Sequence, residues 1–320
     1  MKIVIPDDYQ DAVRLLNCFS KLAGHQVTIY NYTVTDLDSL TFRFQNADAL
    51  VLIRERTKIT DALLDRLPKL KVISQTGRGI PHIDLAACTR RGIPVLAGGG
   101  SPYSTAELTW ALTLAALRHI PYEVAQLKAG KWQSTIGLGL NGRTLGIFSY
   151  GKIGSLVANY GRAFGMKVIV WGREGSISRA QADGYEVCDS QQELFQRSDV
   201  LSLHIKLTEE TRGIVTAADL AEMKPSALLV NTSRADLIEQ GALVAALQAG
   251  RPGFAAVDVY ESEPALDHPL LHLPNALCTP HLGYVEVDAY ESYFGAAFDL
   301  LLAYIAGSPT GVLNPEALRS

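Results

Sequence analysis

Three ionisable side chains in the second half of the chain have the types and spacing needed for proton chemistry on a small acid. Arg234, Glu263 and His281 each follow, within a few residues, a short apolar run typical of a buried parallel strand. Because the carboxyl ends of such strands meet at one edge of a sheet, we expect the three side chains to project toward that edge. An arginine can bind a carboxylate through two hydrogen bonds. A histidine oriented by a glutamate, which also stabilises the imidazolium, can protonate a carbonyl oxygen.

Each of these residues also has a simpler interpretation. Arg234 would be a surface residue that begins a helix with Asp236 as its partner, Glu263 would precede Pro264 in a solvated loop, and His281 would cap a turn. The placement of all three after successive apolar runs favours the chemical interpretation. The remaining histidines and the cysteines have no ligand-like spacing, so the sequence predicts no metal site.

A glycine-containing turn precedes these residues and predicts a nucleotide site. The sequence Ser-Tyr-Gly-Lys-Ile-Gly at 149–154 lies between two apolar runs, Leu145–Phe148 and Lys167–Trp171, and enters a predicted helix. Gly151 lets the backbone approach a pyrophosphate, and Gly154 lets the helix pack closely on its strand. Ser149 replaces the usual first glycine, which we expect to be tolerated only if its backbone angle does not require glycine. An ordinary strand-to-helix turn is the alternative, and the flanking strands and helix favour dinucleotide binding.

The elements that must position these residues alternate along the whole chain. The first hundred residues alternate apolar strands with amphipathic helices, the first helix being predicted near 9–22, and the alternation resumes at residue 145. Three glycines within 97–102 predict a hinge, after which a helix is predicted from about Ser104 to His119 and ended by Pro121. The pattern predicts an α/β protein with two doubly wound parallel-sheet domains.

Composition and charge exclude several classes of protein. The chain has 320 residues, 48 % hydrophobic content and a net charge of −4 without long charged blocks, which argues against a nucleic-acid partner. The start lacks the pattern of a signal peptide, and the most apolar helix, near 106–117, is too short to cross a bilayer, so we expect a soluble cytoplasmic protein with no membrane partner. The four widely spaced cysteines are expected to be buried reduced thiols.

Several segments together resemble the D-isomer-specific 2-hydroxyacid dehydrogenases, a family that includes phosphoglycerate dehydrogenase. The likeness covers nearly the whole chain, because the matching segments occur in the family's order. The segments are 75–84, Ala106-Glu107, 198–204, Asn231-Thr232-Ser233-Arg234, Asp258 to Pro264, and Thr279-Pro280-His281-Leu282-Gly283.

The resemblance implies a fold and an activity. It implies a Rossmann-type coenzyme domain, residues 101–284, inserted in a flavodoxin-like substrate domain formed by residues 1–100 and 285–320. The implied enzyme is an NAD(P)-dependent dehydrogenase that acts on the CH–OH group, interconverting a 2-oxo acid and a D-2-hydroxy acid. Family members are usually dimers joined through their coenzyme domains, so a homodimer is expected.

The resemblance also assigns roles to residues. It implies that Arg234 binds the substrate carboxylate and carbonyl, that His281 shuttles the proton and that Glu263 tunes His281. The backbone N–H groups of Arg78 and Gly79 would help bind the carboxylate. Arg54 follows a strand of the first domain and is a further substrate-binding candidate, although a surface ion pair is an equally good interpretation. The expected coenzyme contacts are Thr105, Tyr150, Gly151, Lys152, Ile153, Gly154, Gly172, Arg173, His204, Thr232, Ser233, Asp258, which would meet the nicotinamide carboxamide, and Gly283.

The choice between NAD and NADP depends on the end of the second strand of this unit. NAD enzymes generally present an acid there to the adenosine ribose, whereas a neighbouring arginine can accept the 2′-phosphate of NADP. Gly172 occupies the acid position and Arg173 follows, which favours NADP, although Glu174 weakens the inference. Asp183 is too far along the chain to supply the missing acid.

Other departures from the family pattern bear on the substrate and on the alternatives. Lys206 stands where the family commonly has proline, and Arg78 stands where a small aliphatic residue is common. A cation at residue 78 would favour a larger or more acidic substrate, unless the side chain points to solvent. The formate dehydrogenases resemble this chain but carry glutamine at the position of Glu263. Some relatives of the fold are dinucleotide-sensing corepressors, and this alternative stays open although Arg234, Glu263 and His281 favour catalysis.

Overall fold

The structure, a computed structural model, describes residues 1–319 and divides into two compact units. The first unit comprises Met1–Ser101 together with the chain from Glu286 onward, and the second comprises Pro102–Val285.

The strands and helices alternate along both units. The strands are β1 (Lys2–Ile5), β2 (Gln26–Ile29), β3 (Ala49–Leu52), β4 (Val72–Thr76), β5 (Val95–Gly98), β6 (Thr144–Phe148), β7 (Lys167–Trp171), β8 (Glu186–Val187), β9 (Val200–Leu203), β10 (Leu228–Asn231), β11 (Phe254–Val257) and β12 (Ala276–Cys278). The helices are α1 (Leu37–Phe44), α2 (Asp61–Asp65), α3 (Leu85–Arg90), α4 (Pro102–Leu117), α5 (Ile120–Lys128), α6 (Lys152–Ala163), α7 (Glu174–Ala182), α8 (Gln191–Arg197), α9 (Ala217–Glu222), α10 (Ala242–Ala249) and α11 (Val287–Ile305).

The first unit is built on a five-stranded parallel sheet in the order β2-β1-β3-β4-β5. Every residue of β3 and β4 is buried, which explains the continuous apolar run of β3, whereas β4 ends in the buried polar residues Ser74, Gln75 and Thr76. The last helix, α11, packs against β4 and β5 and buries Phe294, Phe298 and Leu301. The Ser74 hydroxyl donates to the Ala297 carbonyl at 2.7 Å and ties this helix to the sheet.

The second unit is built on a seven-stranded parallel sheet in the order β12-β11-β10-β9-β6-β7-β8. From β6 the chain adds strands on one side of the sheet as far as β8, and from β9 onward it adds them on the other side, so the strand order reverses between β6 and β9. Open α/β sheets bind ligands outside the carboxyl ends of the strands at such a point. Buried apolar side chains cover both faces of this sheet. The predicted α/β class with two doubly wound parallel sheets is confirmed.

The segment predicted as one helix near 9–22 is instead two 3₁₀ turns, Val13–Leu15 and Asn17–Leu22. Side-chain carboxylates take its backbone N–H groups in place of helical carbonyls. Asp8 accepts from the N–H groups of Ala12 and Val13, and Glu291 accepts from those of Asn17 and Cys18. Such local acceptors compete with the helical ladder, so the α-helix prediction is wrong here.

The helices α1, α5 and α7 and the strand β8 were not predicted from the sequence. Pro121, which was expected to end a helix, lies at the start of α5, where a missing N–H is tolerated. Among the described residues, no helix combines the length and apolar character needed to cross a membrane. Cys18, Cys88 and Cys188 are buried free thiols and Cys278 is half-buried; burial raises the pKa of Cys88 to about 12.

Candidate active site

The glycine turn of the second unit joins β6 to α6 and has the features of a pyrophosphate site. α6 begins at Lys152 with Gly151 as its N-cap, so the N–H groups of its first turn have no intrahelical partner. A Cβ on Gly154 would lie 2.5 Å from the Ser149 carbonyl oxygen, whereas a Cβ on Gly151 would meet nothing within 4 Å. The close approach at Gly154 and the open space at Gly151 fit a dinucleotide phosphate at the helix N-terminus.

The backbone of Ser149 answers the question raised by its replacement of glycine. Its φ is 79°, in the left-handed region that glycine adopts without cost. Its N–H donates to the Trp171 carbonyl at 2.8 Å, which holds the turn against β7. The backbone angle at residue 149 is therefore one that favours glycine. Ser149 occupies a strained conformation at the start of the turn.

Tyr150, predicted as a coenzyme contact, has its polar groups engaged within the protein. It is 2 % exposed, and its hydroxyl donates to Asp183 at 2.7 Å. Its N–H donates to the Ser176 hydroxyl, and its carbonyl accepts two hydrogen bonds from Arg179 at 3.2 and 3.0 Å. The contacts fasten α7 to the glycine turn. Asp183 accepts the hydrogen bond of the Tyr150 hydroxyl, and burial together with this hydrogen bond raises the pKa of Tyr150.

The end of β7, where an acidic residue would bind the adenosine ribose of NAD, has no room for an acid without adjustment. A Cβ on Gly172 would lie 3.1 Å from the Ser176 side chain and 3.2 Å from the Cα of Ser149. Arg173 is the N-cap residue of α7 and is exposed. Ser176 and Arg179 were not among the predicted site residues because α7 was not predicted. The apolar residues Ile177 and Ala180, three apart as on one helix face, are a signal that could have found that helix.

Glu263 and His281 form a hydrogen-bonded pair at the carboxyl edge of the second sheet. The Nδ1 atom of His281 lies 2.7 Å from Oε2 of Glu263, and their side chains are 22 % and 34 % exposed. Burial alone would raise the pKa of Glu263, but the hydrogen bond to His281, the charge of His281 and the nearby Arg234 together lower it. The Tyr284 ring packs edge-on against the imidazole, 5.6 Å between centroids. The arrangement leaves Nε2 as the ring nitrogen that does not face Glu263.

Asp258 holds the loop that carries His281. The carboxylate is fully buried directly after β11 and accepts from the N–H groups of Leu282 at 2.7 Å and Gly283 at 2.8 Å and from the Thr279 hydroxyl at 2.6 Å. Burial raises the pKa of Asp258 even though these hydrogen bonds act to lower it. His281 itself has a φ of 53°, which is rare outside glycine. The buried carboxylate therefore fixes the loop in which the imidazole is held.

Arg234 lies in a turn that its own segment makes rigid. The Asn231 side chain, at the end of β10, donates to the Arg234 carbonyl at 2.9 Å and accepts from the Ser233 N–H at 3.0 Å. Nη1 of Arg234 donates to the Ser233 carbonyl at 2.7 Å. β10 and β11 are paired neighbours, as are β11 and β12, so the turns after them follow adjacent strand ends.

Two other predicted coenzyme contacts, Thr105 and Thr232, use their hydroxyl groups in hydrogen bonds within the second unit. The Thr105 hydroxyl donates to the Gly283 carbonyl at 2.8 Å, and the hydroxyls of Thr109 and Thr232 lie 2.7 Å apart. His204, at the end of β9, shares a 3.0 Å hydrogen bond with Ser202, and burial lowers its pKa to about 4. His204 is therefore neutral at physiological pH.

The first unit brings Arg54 together with the loop after β4. Arg54 has a φ of 51°, and its N–H donates to the Thr76 hydroxyl at 2.8 Å. Its guanidinium covers Gly77 so closely that a Cβ there would lie 1.9 Å from Nη1. The Gln75 amide donates to the carbonyls of Arg54 at 2.9 Å and Gly79 at 3.2 Å. Arg78, the intervening residue of this loop, is exposed.

Known proteins resemble the chain in both sequence and structure. A family model described as D-isomer specific 2-hydroxyacid dehydrogenase, NAD binding domain, matches residues 110–283. The D-3-phosphoglycerate dehydrogenase of Methanocaldococcus jannaschii is 39 % identical over 296 residues, which are 91 % of this chain but 55 % of that protein, so this chain spans about half of its length. The glyoxylate reductase of Thermococcus litoralis is 35 % identical over 289 residues, 87 % of each chain.

A solved structure from Ralstonia solanacearum, named as a provisional D-3-phosphoglycerate dehydrogenase oxidoreductase, is also similar. It is 56 % identical with a TM-score of 0.97, over 99 % of this chain and 98 % of that chain.

Proposed function

The chain belongs to the D-isomer specific 2-hydroxyacid dehydrogenase family, and we propose that it interconverts a 2-oxo acid and a D-2-hydroxy acid with NADH or NADPH. The observation that carries this proposal is the 2.7 Å pair of Glu263 and His281 beside Arg234, at the carboxyl edge of a sheet whose glycine turn fits a dinucleotide. When bound, the nicotinamide supplies or accepts the hydride.

The residues of this chain supply the binding and the proton. Arg234 binds the substrate carboxylate, for which a planar guanidinium provides two parallel donors. His281 gives the proton from Nε2 to the carbonyl oxygen in reduction and takes it back in oxidation. Glu263, whose lowered pKa keeps it ionised, holds Nδ1 and stabilises the imidazolium. The N–H groups of Lys152 and Ile153 bind the pyrophosphate.

His281→Ala tests the proposal. We expect turnover of 2-oxo acids to fall by about 10²–10⁴-fold, the usual worth of a positioned proton donor. Binding of the reduced coenzyme, measured by its fluorescence, is expected to stay within a few-fold of wild type. A matched control is His25→Ala, which removes a histidine of the first unit whose Nδ1 lies 3.2 Å from the N-terminal amine. The proposed function would be refuted by near-normal turnover of the His281 variant. It would also be refuted if the wild-type protein were inactive across a panel of 2-oxo acids with both coenzymes.

We propose that NADP is preferred over NAD. Gly172 stands where an acidic side chain would repel a 2′-phosphate, and the neighbouring Ser149 and Ser176 leave little room for such a side chain. Arg173 is an exposed cation at the start of α7. Arg173→Ala is expected to lower kcat/KM with NADPH by about tenfold, as for loss of one charge-assisted contact, and to leave that with NADH nearly unchanged. A strong NADH preference of the wild-type protein would overturn the assignment.

We also propose that Arg54, Arg78 and Gly79 bind the substrate and that Arg78 favours an acid with a second negative group. The close packing of Arg54 on the 77–79 loop supports a common role for these residues. Arg78→Ala is expected to lower kcat/KM for phosphohydroxypyruvate more than for hydroxypyruvate, which lacks the phosphate. Arg90→Ala, which removes an exposed arginine paired with Asp61 at 2.9 Å, is the control. Equal losses for both substrates would refute the role of Arg78.

We propose that the protein is a homodimer joined through its second unit. α5 and the segment after it expose a run of large apolar side chains that a lone chain would leave in water. The exposed residues are Ile120, Tyr122, Val124, Leu127, Trp132 and Ile136, with Trp132 78 % and Ile136 95 % exposed. Trp132→Glu combined with Ile136→Glu is expected to give a monomer by light scattering after gel filtration. A wild-type monomer at micromolar concentration would refute the proposal.

A further inference from the structure

Arg43 of α1 is a buried cation that forms no ion pair within the described residues 1–319. It is 7 % exposed, and its Nη1 donates to the Tyr32 carbonyl at 2.7 Å. Its Nη2 is buried and has no hydrogen-bond partner among residues 1–319. Burying a charge is costly unless it is paired, and an unused donor adds to that cost. The site therefore holds binding capacity that the protein itself does not use.

Two tyrosine rings cover the guanidinium. Its central carbon lies 4.6 Å from the centroid of Tyr30 and 4.2 Å from that of Tyr32. Cation–π attraction to both rings offsets part of the cost of burial. Tyr32 is 64 % exposed, so few contacts with the rest of the protein hold its ring over the guanidinium. Movement of Tyr32 would open Nη2 to a ligand.

Arg43 is one of the residues that line a cavity of about 330 Å³ between the loop after β2 and α1. Apolar side chains form much of its wall, namely Tyr30, Tyr32, Val34 and Phe42. Phe42 is 75 % exposed although it is large and aromatic. An aromatic wall next to a guanidinium suits a ligand with an apolar body and one anionic end.

We propose that this cavity binds a small monocarboxylate with a flat apolar body. The carboxylate would pair with Arg43 as the Tyr32 ring moves aside, and the apolar body would contact Phe42 and Val34. Two carboxylates at the start of α1 argue against a dianion. Asp36 caps the helix through the Ser39 N–H at 2.8 Å, and Asp38 lines the cavity.

The site is connected to the segment proposed to bind substrate. The Tyr30 carbonyl accepts from the Asp8 N–H at 2.9 Å, and the Thr33 hydroxyl donates to Asp7 at 2.6 Å. The Asp7 carbonyl in turn accepts from Arg56, two residues from Arg54, at 2.6 Å. A ligand that moves the loop containing Tyr30 and Thr33 is therefore expected to change KM for the 2-oxo acid. This second effect rests on the proposed function, whereas binding does not.

Calorimetric titration with benzoate tests the binding. Wild-type protein is expected to bind benzoate with one site per chain, and Arg43→Met, which keeps an apolar stem, to bind at least about tenfold more weakly, as for loss of a charge-assisted pair. Arg90→Met is the matched control, because Arg90 is an exposed arginine paired with Asp61 at 2.9 Å and does not line the cavity. It is expected to bind like wild type. Benzamide, which is neutral, and phthalate, which is a dianion, are expected to bind more weakly than benzoate.

A second variant separates this site from the proposed active site. Benzoate binding is expected to persist in Arg234→Leu, which removes the proposed carboxylate-binding arginine of the second unit. Equal binding by Arg43→Met and wild type, loss of binding in Arg234→Leu, or no binding at millimolar benzoate would each overturn the proposal.

Hydrogen exchange on the wild-type protein keeps the test valid if Arg43→Met fails to fold. Benzoate is expected to protect backbone amides within 30–43, and protection absent from this segment would overturn the proposal. These measurements do not depend on turnover, so they decide the binding even if the protein proves not to be a dehydrogenase.

Discussion

Each unit carries a buried aspartate just after a strand of its sheet, and the two carboxylates are held differently. Asp258, 0 % exposed, follows β11 and accepts from the backbone N–H groups of Leu282 and Gly283 as well as from the Thr279 hydroxyl. Backbone N–H groups can only donate. The site at Asp258 is therefore specific for a group that accepts at both of its oxygens.

Asp7, 2 % exposed, follows β1, and within residues 1–319 the hydrogen bonds that its side chain accepts come from hydroxyl groups. The donors are Thr33 and Thr57. A hydroxyl rotates to donate or to accept, so the site at Asp7 does not require a carboxylate. Asp258 thus fixes a backbone, whereas Asp7 joins two side chains.

Each unit also has a residue with strained backbone that we propose to be functional. His281 has a φ of 53° in the second unit, and Arg54 has a φ of 51° in the first. Such conformations persist only where the surroundings determine them strongly. At His281, backbone donors to a buried carboxylate determine the conformation, whereas at Arg54 a hydroxyl and the Gln75 amide determine it.

The largest expected effect comes from comparing two single variants, in each of which one of the two aspartates is replaced by asparagine. Asp258→Asn sets an amide NH₂ against a backbone N–H, and we expect a loss of about 2–3 kcal/mol of stability and at least about tenfold in kcat, since the His281 loop loosens. Asp7→Asn is expected to cost less than about 1 kcal/mol, because the threonine hydroxyls rotate and asparagine tolerates the φ of 64° at this position. Urea unfolding and steady-state kinetics check both. Equal losses of stability would break the comparison.

Removing one hydroxyl from each site is expected to reverse the ranking. Thr57→Val takes away one of the two side-chain donors found for Asp7 and is expected to cost about 1–2 kcal/mol. Thr279→Val leaves Asp258 its two backbone donors and is expected to cost about half as much. Thermal unfolding of the two variants measures the difference. A larger loss for the Thr279 variant would show that the hydroxyl, and not the backbone, holds Asp258.

The dependence of stability on pH separates Asp258 from Glu263 within the second unit. The pKa of Glu263 is lowered from 4.5, so its contribution to stability is present above pH 4.5 and is lost as pH falls through the lowered value. The pKa of Asp258 is raised from 3.8, so its ionisation lowers stability as pH rises from 3.8 through the raised value.

Glu263→Gln is therefore expected to lose less stability than wild type on acidification below pH 4.5, and Asp258→Asn more. Melting temperatures recorded across the acid range check this. Parallel curves for all three proteins would contradict the opposite shifts.

The smallest expected effect extends the comparison to Ser149, a strained residue that no buried carboxylate among those described holds. Its φ of 79° costs about 1 kcal/mol for a residue with a Cβ. Ser149→Gly removes that strain but increases the entropy of the unfolded chain, so the net gain is expected to be about 0.5 kcal/mol or less. Gly154→Ala is the opposite control, because its Cβ would lie 2.5 Å from the Ser149 carbonyl. A melting temperature that falls in Ser149→Gly would argue against strain.

The sequence by itself determined the series of strands along the chain except β8, the two doubly wound sheets and the residues that follow the strand ends. Apolar runs, glycine turns and their spacing are local signals, and they reported β7, β10 and α9 with correct bounds. The placement of Arg234, Glu263 and His281 after apolar runs predicted that they share one sheet edge, and the family motifs assigned their roles.

Only the tertiary structure decided which atoms meet. The 3₁₀ turns near residue 17 depend on Glu291, which is 274 residues away and takes the N–H groups that a helix would need. Asp258 meets donors 21 to 25 residues away, and Arg43 lies between tyrosines that no local pattern connects to it. Sequence patterns report the preferences of neighbouring residues, whereas hydrogen bonds, burial and the left-handed angle of Ser149 follow from partners that folding brings together.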